Sequence, residues 1–110
     1  MQVINTHLGG ALTNVDGHVN SRHTIALAAP WEKIYGTSPD VNSYHGLGVE
    51  TDGLANGLIS IATDADGHIE AFCHHEKPLA AVMWHPERGA ALEGDRHVLS
   101  KMIKTGAFWA

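Results

Sequence analysis

Residues 58–84 constrain the fold more than any other part of the sequence, because they have the pattern of three consecutive strands. The apolar segment 58–63 is followed by the turn sequence Asp-Ala-Asp-Gly at 64–67. Since an Asp-Gly pair tolerates the positive φ of a tight turn, segment 68–74 is predicted to return antiparallel beside the first strand. The apolar run 79–84 is typical of a strand buried on both faces. A sheet therefore forms the predicted core.

Helical and shorter extended segments accompany this sheet pattern. Apolar residues recur at helical spacing in 1–8 and in 95–104, and Gly9-Gly10 is a typical helix end. The sequence also indicates a short strand at 23–27, an extended segment at 41–45 and one helical turn within 30–36. This mixture predicts the α/β class. At 110 residues, we expect one domain that spans 1–110.

Composition limits the classes of partner. The net charge of -5 excludes a broad nucleic-acid surface, and no apolar run approaches the roughly 20 residues of a membrane span. The single cysteine excludes an internal disulfide framework and suits a reducing compartment. We therefore expect a cytoplasmic protein that acts on a small molecule, without nucleic-acid or membrane partners. Self-association is compatible with this composition.

The sequence His85-Pro86-Glu87 ends the third predicted strand and is the best candidate for chemistry. Proline restrains the preceding residue to an extended conformation, so the side chains of His85 and Glu87 are expected to point to the same side. A carboxylate there can accept the Nδ1–H of the imidazole and leave Nε2 free as a base. The alternative is a strand end closed by proline, with polar residues that face water.

Three ordered segments carry a family resemblance. These are Val-Asn-Ser-Tyr-His at 41–45, Ala-Thr-Asp-Ala-Asp-Gly-His-Ile-Glu-Ala at 62–71 and Trp-His-Pro-Glu at 84–87. Together they resemble the C-terminal half of the class I glutamine amidotransferase family, in particular its γ-glutamyl hydrolase branch. Residues 1–12 are similar to the helix that follows the nucleophile elbow there. The resemblance implies a partial flavodoxin-like, three-layer α/β domain that lacks its N-terminal half.

The resemblance also implies roles for individual residues. His85 and Glu87 match the base and the orienting acid of a Cys-His-Glu triad, and Gln2 matches a residue that helps to hold the γ-glutamyl group. The substrate site would be lined by Asn42, Ser43, Tyr44 and His45. The family's nucleophilic cysteine lies three residues before the position of Met1, so we expect this chain to be the C-terminal portion of a longer enzyme and inactive alone. No cofactor is implied.

Two departures from the family pattern leave the substrate open. Gly46-Leu47-Gly48 stands where the family usually has a glutamine shortly after the histidine, and Met83 stands where many members have glutamine. For His45 itself, the alternative to a substrate-pocket wall is a loop histidine that faces water. The sequence does not identify the acyl acceptor.

Cys73 and the nine histidines suggest two other kinds of site. On a strand, Cys73 points away from His74, so we expect a buried, inert thiol. No His-x-x-x-His or Cys-x-x-Cys pair presents two metal ligands together, so no metal site is predicted. His18 and His23, or His68 with Glu70 and His74, could still meet a distant partner. Adventitious nickel or zinc binding during purification is the favoured alternative to a native site.

Two other interpretations of the whole chain stay open. One is a non-catalytic binding or interaction module, and the other is a fragment whose missing half is a separate polypeptide. If the sheet has lost neighbouring strands, the apolar segment 79–84 has an exposed flank. Because such edges associate, we expect the isolated chain to be poorly soluble or loosely packed.

Overall fold

The computed structural model describes residues 1–29, 31–36, 38–88 and 92–105. The helices are α1 (Gln2–His7), α2 (Glu32–Tyr35) and α3 (Glu93–Thr105), and a 3-10 turn lies at Thr51–Gly53. The strands are β1 (Thr13–Asn14), β2 (Ser21–Thr24), β3 (Ala26–Leu27), β4 (Asp40–Ser43), β5 (Leu47–Gly48), β6 (Leu58–Thr63), β7 (Ile69–His74) and β8 (Ala80–Val82). The mixed α/β class predicted from the sequence is confirmed.

The strands of the described residues form three antiparallel sheets. The largest has the order β3-β6-β7-β8, and the two small sheets pair β1 with β5 and β2 with β4. The turn between β6 and β7 is closed by Asp64, whose Oδ1 accepts the backbone N–H groups of Asp66 and His68 at 2.9 Å each. Gly67 supplies the positive φ of 86° that this turn requires. The predicted hairpin is therefore confirmed.

Strand β8 lies at one edge of the four-stranded sheet, and it is shorter and less deeply buried than the strand predicted over 79–84. The strand covers only Ala80–Val82, and these three residues are half-buried. One flank pairs with β7, and the other has no strand partner among the described residues. Both faces of the apolar run nevertheless pack against the core, as predicted. Ala80 and Val82 lie against one buried cluster, and Leu79 and Ala81 lie against the other. The expected poor solubility of the isolated chain stays a prediction.

Segment 23–27, predicted as one strand, is divided between two sheets. Strand β2 ends at Thr24 and pairs with β4, whereas β3 begins at Ala26 and pairs with β6. Ile25, between them, is 1% exposed. Both pieces are extended, and only the choice of partner strand separates them, so the local sequence does not show the division.

The helices lie close to their predicted positions. Helix α1 ends before Gly9-Gly10, and α3 covers the apolar stripe predicted at 95–104. The predicted turn within 30–36 corresponds to α2, which ends at Gly36, although Pro30 lies outside the described residues. No helix in the described part of the chain is long and apolar enough to cross a membrane.

The two faces of β7 are covered by different helices, which gives three layers. Ala71 and Phe72 are adjacent in β7 and point to opposite faces, and each is 0% exposed. Ala71 belongs to the cluster against which Val98 and Met102 of α3 pack. Phe72 belongs to the cluster that Ile4 of α1 contacts. The core therefore lies on both sides of the four-stranded sheet.

Asn5 attaches α1 to the rest of the domain. Its side chain is fully buried, and its Nδ2 donates to the carbonyls of Ala11 and Gly53 at 3.2 and 3.0 Å. Its Oδ1 accepts the backbone N–H of Ala55 at 2.8 Å. Because backbone groups buried without partners are costly, this one side chain holds the N-terminal helix against the 51–55 loop.

We predict that Asn5→Ala lowers the free energy of unfolding by about 2–4 kcal/mol, because it leaves the Ala55 N–H and the Ala11 carbonyl without the Asn5 amide, and the Gly53 carbonyl with only the Ala11 N–H. Urea unfolding followed by circular dichroism measures the difference. Asn14→Ala is the matched control, since Asn14 is exposed and should change stability by less than about 0.5 kcal/mol. Equal effects of the two substitutions would contradict the attachment role of Asn5.

Candidate active site

His85 and Glu87 form a hydrogen-bonded pair just beyond the end of β8. His85 Nδ1 lies 2.6 Å from Glu87 Oε1, with Pro86 between the two residues, and the two side chains point to the same side, as the proline restraint predicts. The His85 side chain is 36% exposed, and its Nε2 has no hydrogen-bond partner among the described residues. The hydrogen bond from His85 holds the pKa of Glu87 below its ordinary value. The arrangement offers an oriented imidazole whose Nε2 is free.

Asn42 clamps the backbone that carries this pair. Its Oδ1 accepts the N–H of His85 at 2.8 Å, and its Nδ2 donates to the carbonyls of His85 and Arg88 at 2.8 and 2.9 Å. The side chain is 8% exposed and comes from the middle of β4. Asn42 therefore positions His85 through the backbone, a role that the sequence analysis missed when it placed Asn42 in the wall of the substrate site.

Asp95 in the first turn of α3 supports the strand end from the other side. Its carboxylate accepts the Trp84 Nε1–H at 3.1 Å and the Tyr35 hydroxyl at 2.9 Å. The rings of Tyr35 and Trp84 meet edge to face. Burial, together with Asp95, raises the pKa of Tyr35. Trp84, the buried residue before His85, is thus held by the half-buried ring of Tyr35 and by the carboxylate of Asp95.

Tyr44 and Arg88 form the exposed rim next to His85. The Tyr44 ring lies edge-on to the His85 ring, with centroids 5.6 Å apart. The Arg88 guanidinium sits 4.4 Å above the centre of the Tyr44 ring. Tyr44 is 37% exposed, so it is the member of segment 42–45 that faces solvent beside the imidazole. The rim presents an aromatic surface and a cation.

The other residues proposed for the substrate site, Gln2, Ser43 and His45, do not lie on the exposed rim with Tyr44. Gln2 donates from Nε2 to the Leu47 carbonyl at 2.9 Å, and His45 Nδ1 donates to the same carbonyl at 2.7 Å. Ser43 is 0% exposed and His45 is 9% exposed. The alternative that His45 is a loop histidine facing water is therefore wrong. The structure brings Gln2 to the 44–47 loop, but it turns Ser43 and His45 into the interior.

The side chain of His45 points toward a buried polar cluster. The cluster contains Glu70 of β7, which is 1% exposed, together with the side chains of His18 and His23. The spacing of these residues in the sequence did not predict that they meet. Burial raises the pKa of Glu70 to about 7, and burial lowers the pKa of His45. Burial by itself raises the pKa of Asp64, but hydrogen bonds from His68 and Asp66 hold it below its ordinary value. The sequence analysis named His18 with His23, and separately Glu70 with His68 and His74, as residues that could meet a distant partner, but it did not bring Glu70 together with His18, His23 and His45.

Cys73 is poorly placed to act with His85. It pairs with Ala80 at the start of β8, whereas His85 follows the end of that strand. Burial raises the pKa of its thiol, which disfavours the nucleophilic thiolate. The side chain is partly buried rather than fully buried as expected. The thiol has the position of a packing residue.

Comparison with known proteins identifies the family to which this chain belongs. The model of the Peptidase C26 family matches residues 1–87. The chain belongs to the Peptidase C26 family. Relatives of this Peptidase C26 chain include a candidate glutamine amidotransferase of Mycobacterium tuberculosis, 35% identical over 79% of this chain and 32% of that protein. A candidate glutamine amidotransferase-like protein of Lactococcus lactis is 31% identical over 79% of this chain and 42% of that protein.

Solved structures share the fold. A candidate GMP synthase component of Thermoplasma acidophilum superposes with a TM-score of 0.75 at 20% identity, over 94% of this chain and 51% of that one. A glutamine amidotransferase of Thermotoga maritima gives a TM-score of 0.65 at 13% identity, over 96% of this chain and 44% of that one. This Peptidase C26 chain therefore has the fold of glutamine amidotransferase domains and spans a third to two fifths of the curated relatives' length.

We predict that the Glu87 carboxyl titrates below the ordinary glutamate pKa of about 4.3. The His85–Glu87 pair then stabilises the folded chain above the ordinary pKa, and this contribution is lost as the pH falls through the lowered pKa. Carbon-13 NMR of the carboxyl measures the midpoint. In His85→Gln the midpoint should rise toward the ordinary value. A midpoint that does not respond to this substitution would refute the pairing in solution.

We predict that Asn42→Asp lowers the free energy of unfolding by about 2–3 kcal/mol, because the new carboxylate would face the carbonyl oxygens of His85 and Arg88. Urea unfolding at neutral pH measures this loss. Asn14→Asp, at an exposed position, adds the same charge and should have little effect. Similar losses in both variants would show that charge, and not the backbone clamp, is responsible.

Proposed function

We propose that this chain supplies the base and the orienting acid of a cysteine-dependent hydrolase of γ-glutamyl amides. The observation that carries the proposal is the 2.6 Å contact between His85 Nδ1 and Glu87 Oε1, with Nε2 left free. A carboxylate in this position fixes the tautomer and stabilises the imidazolium that forms when Nε2 takes a proton. Membership of the Peptidase C26 family and the amidotransferase names of relatives support amide chemistry.

The nucleophilic thiol in this proposal comes from polypeptide outside these 110 residues. Cys73 is the one cysteine of the chain, and it lies beside the start of β8, away from His85. The burial that raises its pKa also disfavours the thiolate. The curated relatives are two to three times as long as the part that this chain matches, which is compatible with a nucleophile on a further segment.

The proposed reaction has two steps. In the first, His85 Nε2 takes the proton of the thiol as the sulfur attacks the γ-carbonyl carbon, and the imidazolium then protonates the departing amine as the C–N bond breaks. In the second, His85 Nε2 takes a proton from water, whose oxygen attacks the thioester carbon. The thiolate leaves and recovers that proton. The products are a free γ-carboxyl group and the amine.

The rim beside His85 supports a γ-glutamyl group as the acyl part of the substrate. Arg88 places a cation over Tyr44, next to the imidazole, where it would attract the α-carboxylate of that group. Gln2 shares the Leu47 carbonyl with His45, so its amide lies at the loop that continues from Tyr44. Both side chains are proposed to orient the acyl group, whereas Asn42 acts through the His85 backbone.

We predict that the purified 110-residue chain does not hydrolyse glutamine or other γ-glutamyl amides, because the base has no thiol to activate. Release of glutamate and amine, measured by liquid chromatography, tests this prediction. The Cys73→Ser variant should behave as the parent chain does. Turnover by the parent that Cys73→Ser abolishes would contradict the proposal.

A longer polypeptide from the same gene tests the positive part of the proposal. We expect the genomic sequence directly upstream of Met1 to encode an in-frame Gly-x-Cys-x-Gly, and the extended protein to hydrolyse γ-glutamyl amides. His85→Gln should then lower kcat by about 10²–10⁴-fold. His97→Gln, on the exposed face of α3, should leave kcat unchanged.

Two outcomes would favour the alternatives. Binding of the amide without turnover would support a non-catalytic module, and a stop codon just upstream of Met1 would favour a nucleophile on a separate polypeptide.

A further inference from the structure

The carboxylate of Glu70 is buried without hydrogen-bond partners. The residue is 1% exposed on the central strand β7, and neither Oε1 nor Oε2 has a partner among the described residues. A buried carboxylate in this state is costly unless a cation or several donors face it. The side chains that face the Glu70 carboxylate therefore indicate which ligand could stabilise it.

Three imidazoles point their Nε2 atoms at the same carboxylate oxygen. Glu70 Oε1 lies 3.5 Å from His18 Nε2, 3.9 Å from His23 Nε2 and 3.8 Å from His45 Nε2. The ligand atoms of His18, His23 and Glu70 all lie within 4.8 Å of one another. The Nε2 atoms of His23 and His45 have no hydrogen-bond partner among the described residues. Three polar side chains, those of His18, His23 and Glu70, thus converge on one small volume, and His45 lies beside Glu70 Oε1.

The opposite ring nitrogen of each histidine is held by a backbone carbonyl. Nδ1 lies 2.8 Å from the Asp16 carbonyl in His18, 3.2 Å from the Thr24 carbonyl in His23 and 2.7 Å from the Leu47 carbonyl in His45. Because a carbonyl only accepts, each Nδ1 carries a proton, and the neutral rings of His23 and His45 present a lone pair at Nε2. In His18, Nε2 donates to Asp64 Oδ2 at 2.7 Å and must release that proton before it can bind a metal. This orientation by an outer carbonyl is typical of metal-ligating histidines.

The separations suit ligands of one metal ion. Two ligands that each lie about 2.0–2.1 Å from a tetrahedral zinc ion are about 3.3–3.4 Å apart. The observed nitrogen–oxygen separations of 3.5–3.9 Å need only a small closing movement to reach that value. They exceed the length of an ordinary hydrogen bond, so imidazolium protons would not satisfy Glu70 from these positions.

A water molecule is a weaker explanation for the cluster. The two oxygens of Glu70 and the Nε2 atoms of His23 and His45 are four acceptors that need donors. One water molecule donates only two hydrogen bonds, whereas a divalent cation takes a lone pair from each of four ligands. A set of imidazoles and one carboxylate fits zinc and its neighbours in the first transition series better than calcium or magnesium.

We propose that Glu70, His18 and His23 bind one divalent transition-metal ion, with zinc as the fitting representative. His45, whose Nε2 lies 3.8 Å from Glu70 Oε1, supplies the fourth ligand after a movement of its ring. His18 Nε2 also contacts Asp64 Oδ2 at 2.7 Å, so metal binding exchanges that hydrogen bond for a coordinate bond, while His68 keeps its own bond to Asp64 at 2.9 Å. With four protein ligands and little solvent access, the site is structural rather than catalytic.

The ion would add a link between two sheets that already share a hydrophobic core, since Val41 of β4 packs in the same cluster as Ala71 of β7. His23 belongs to β2 and Glu70 belongs to β7, and these strands lie in different sheets. His45 follows β4 directly after Tyr44, the ring beside His85. The metal would therefore tie the β2–β4 sheet, which carries Asn42, to the central sheet, and would steady the backbone clamp of the candidate active site.

The first experiment measures zinc binding to the purified 110-residue chain, produced with a tag that contains no histidine. After EDTA treatment and gel filtration, we expect the chain to bind one equivalent of Zn²⁺, measured by mass spectrometry of the metal content, and to gain thermal stability. Co²⁺ in place of zinc should give the intense visible absorption of a tetrahedral site. Binding does not depend on hydrolase activity, so failure here leaves the proposed function standing.

Matched variants separate this site from adventitious binding by other histidines. Glu70→Gln keeps the size of the side chain, and it should weaken Zn²⁺ binding and abolish the Co²⁺ spectrum. His23→Gln should weaken Zn²⁺ affinity by more than about 10-fold. His7→Gln and His97→Gln remove exposed histidines and should leave both readouts unchanged. If either site variant is unfolded by circular dichroism, the stoichiometry and Co²⁺ spectrum of the parent chain decide the question.

Three outcomes would overturn the proposal. The first is the absence of stoichiometric binding by the parent chain at micromolar Zn²⁺. The second is binding that Glu70→Gln and His23→Gln retain but His7→Gln or His97→Gln loses, which would assign it to surface histidines. The third is a Co²⁺ spectrum typical of octahedral, water-rich coordination. Each of these results would leave the buried cluster as a set of side chains that share protons or water.

Discussion

The burial of β7 on both faces is the constraint on which the rest of the structure depends. Its backbone pairs with β6 on one side and β8 on the other, so every neighbouring element is placed relative to it. Ala71 and Phe72 direct α3 and α1 to opposite faces, and the pairing with β8 sets where that strand ends and His85 begins. Because a one-residue slip would exchange the two faces, the Asp64 turn that sets the register also sets the position of the candidate site.

The candidate active site is held mainly by the backbone. Asn42 bonds three backbone groups of the His85–Arg88 turn, and Asp95 holds the indole of Trp84 just before it. The two supports come from β4, which lies 43 positions before His85 at Asn42, and from the first turn of α3, which follows His85 closely along the chain. The side chains of His85 and Glu87 are therefore partly exposed to solvent, while buried residues hold their backbone in place.

The histidine cluster and the candidate active site share one segment. Along 42–45, Asn42 bonds the His85 backbone, Tyr44 contacts the His85 ring and His45 turns inward toward Glu70. The buried cluster and the imidazole of His85 are therefore in contact with the same segment of four consecutive residues.

Much of the local structure is determined by the sequence itself. The hairpin at 58–74, the helix ends at Gly9 and Gly36, and the shared direction of His85 and Glu87 all follow from backbone preferences of glycine, proline and aspartate, which act over a few residues. Tertiary structure alone decided the edge position of β8, the division of 23–27 between two sheets, the clamp made by Asn42 and the meeting of His18, His23 and His45 at Glu70. The physical reason is that these features join residues about 20 to 50 positions apart, and their partners are chosen by packing and by the satisfaction of buried polar groups.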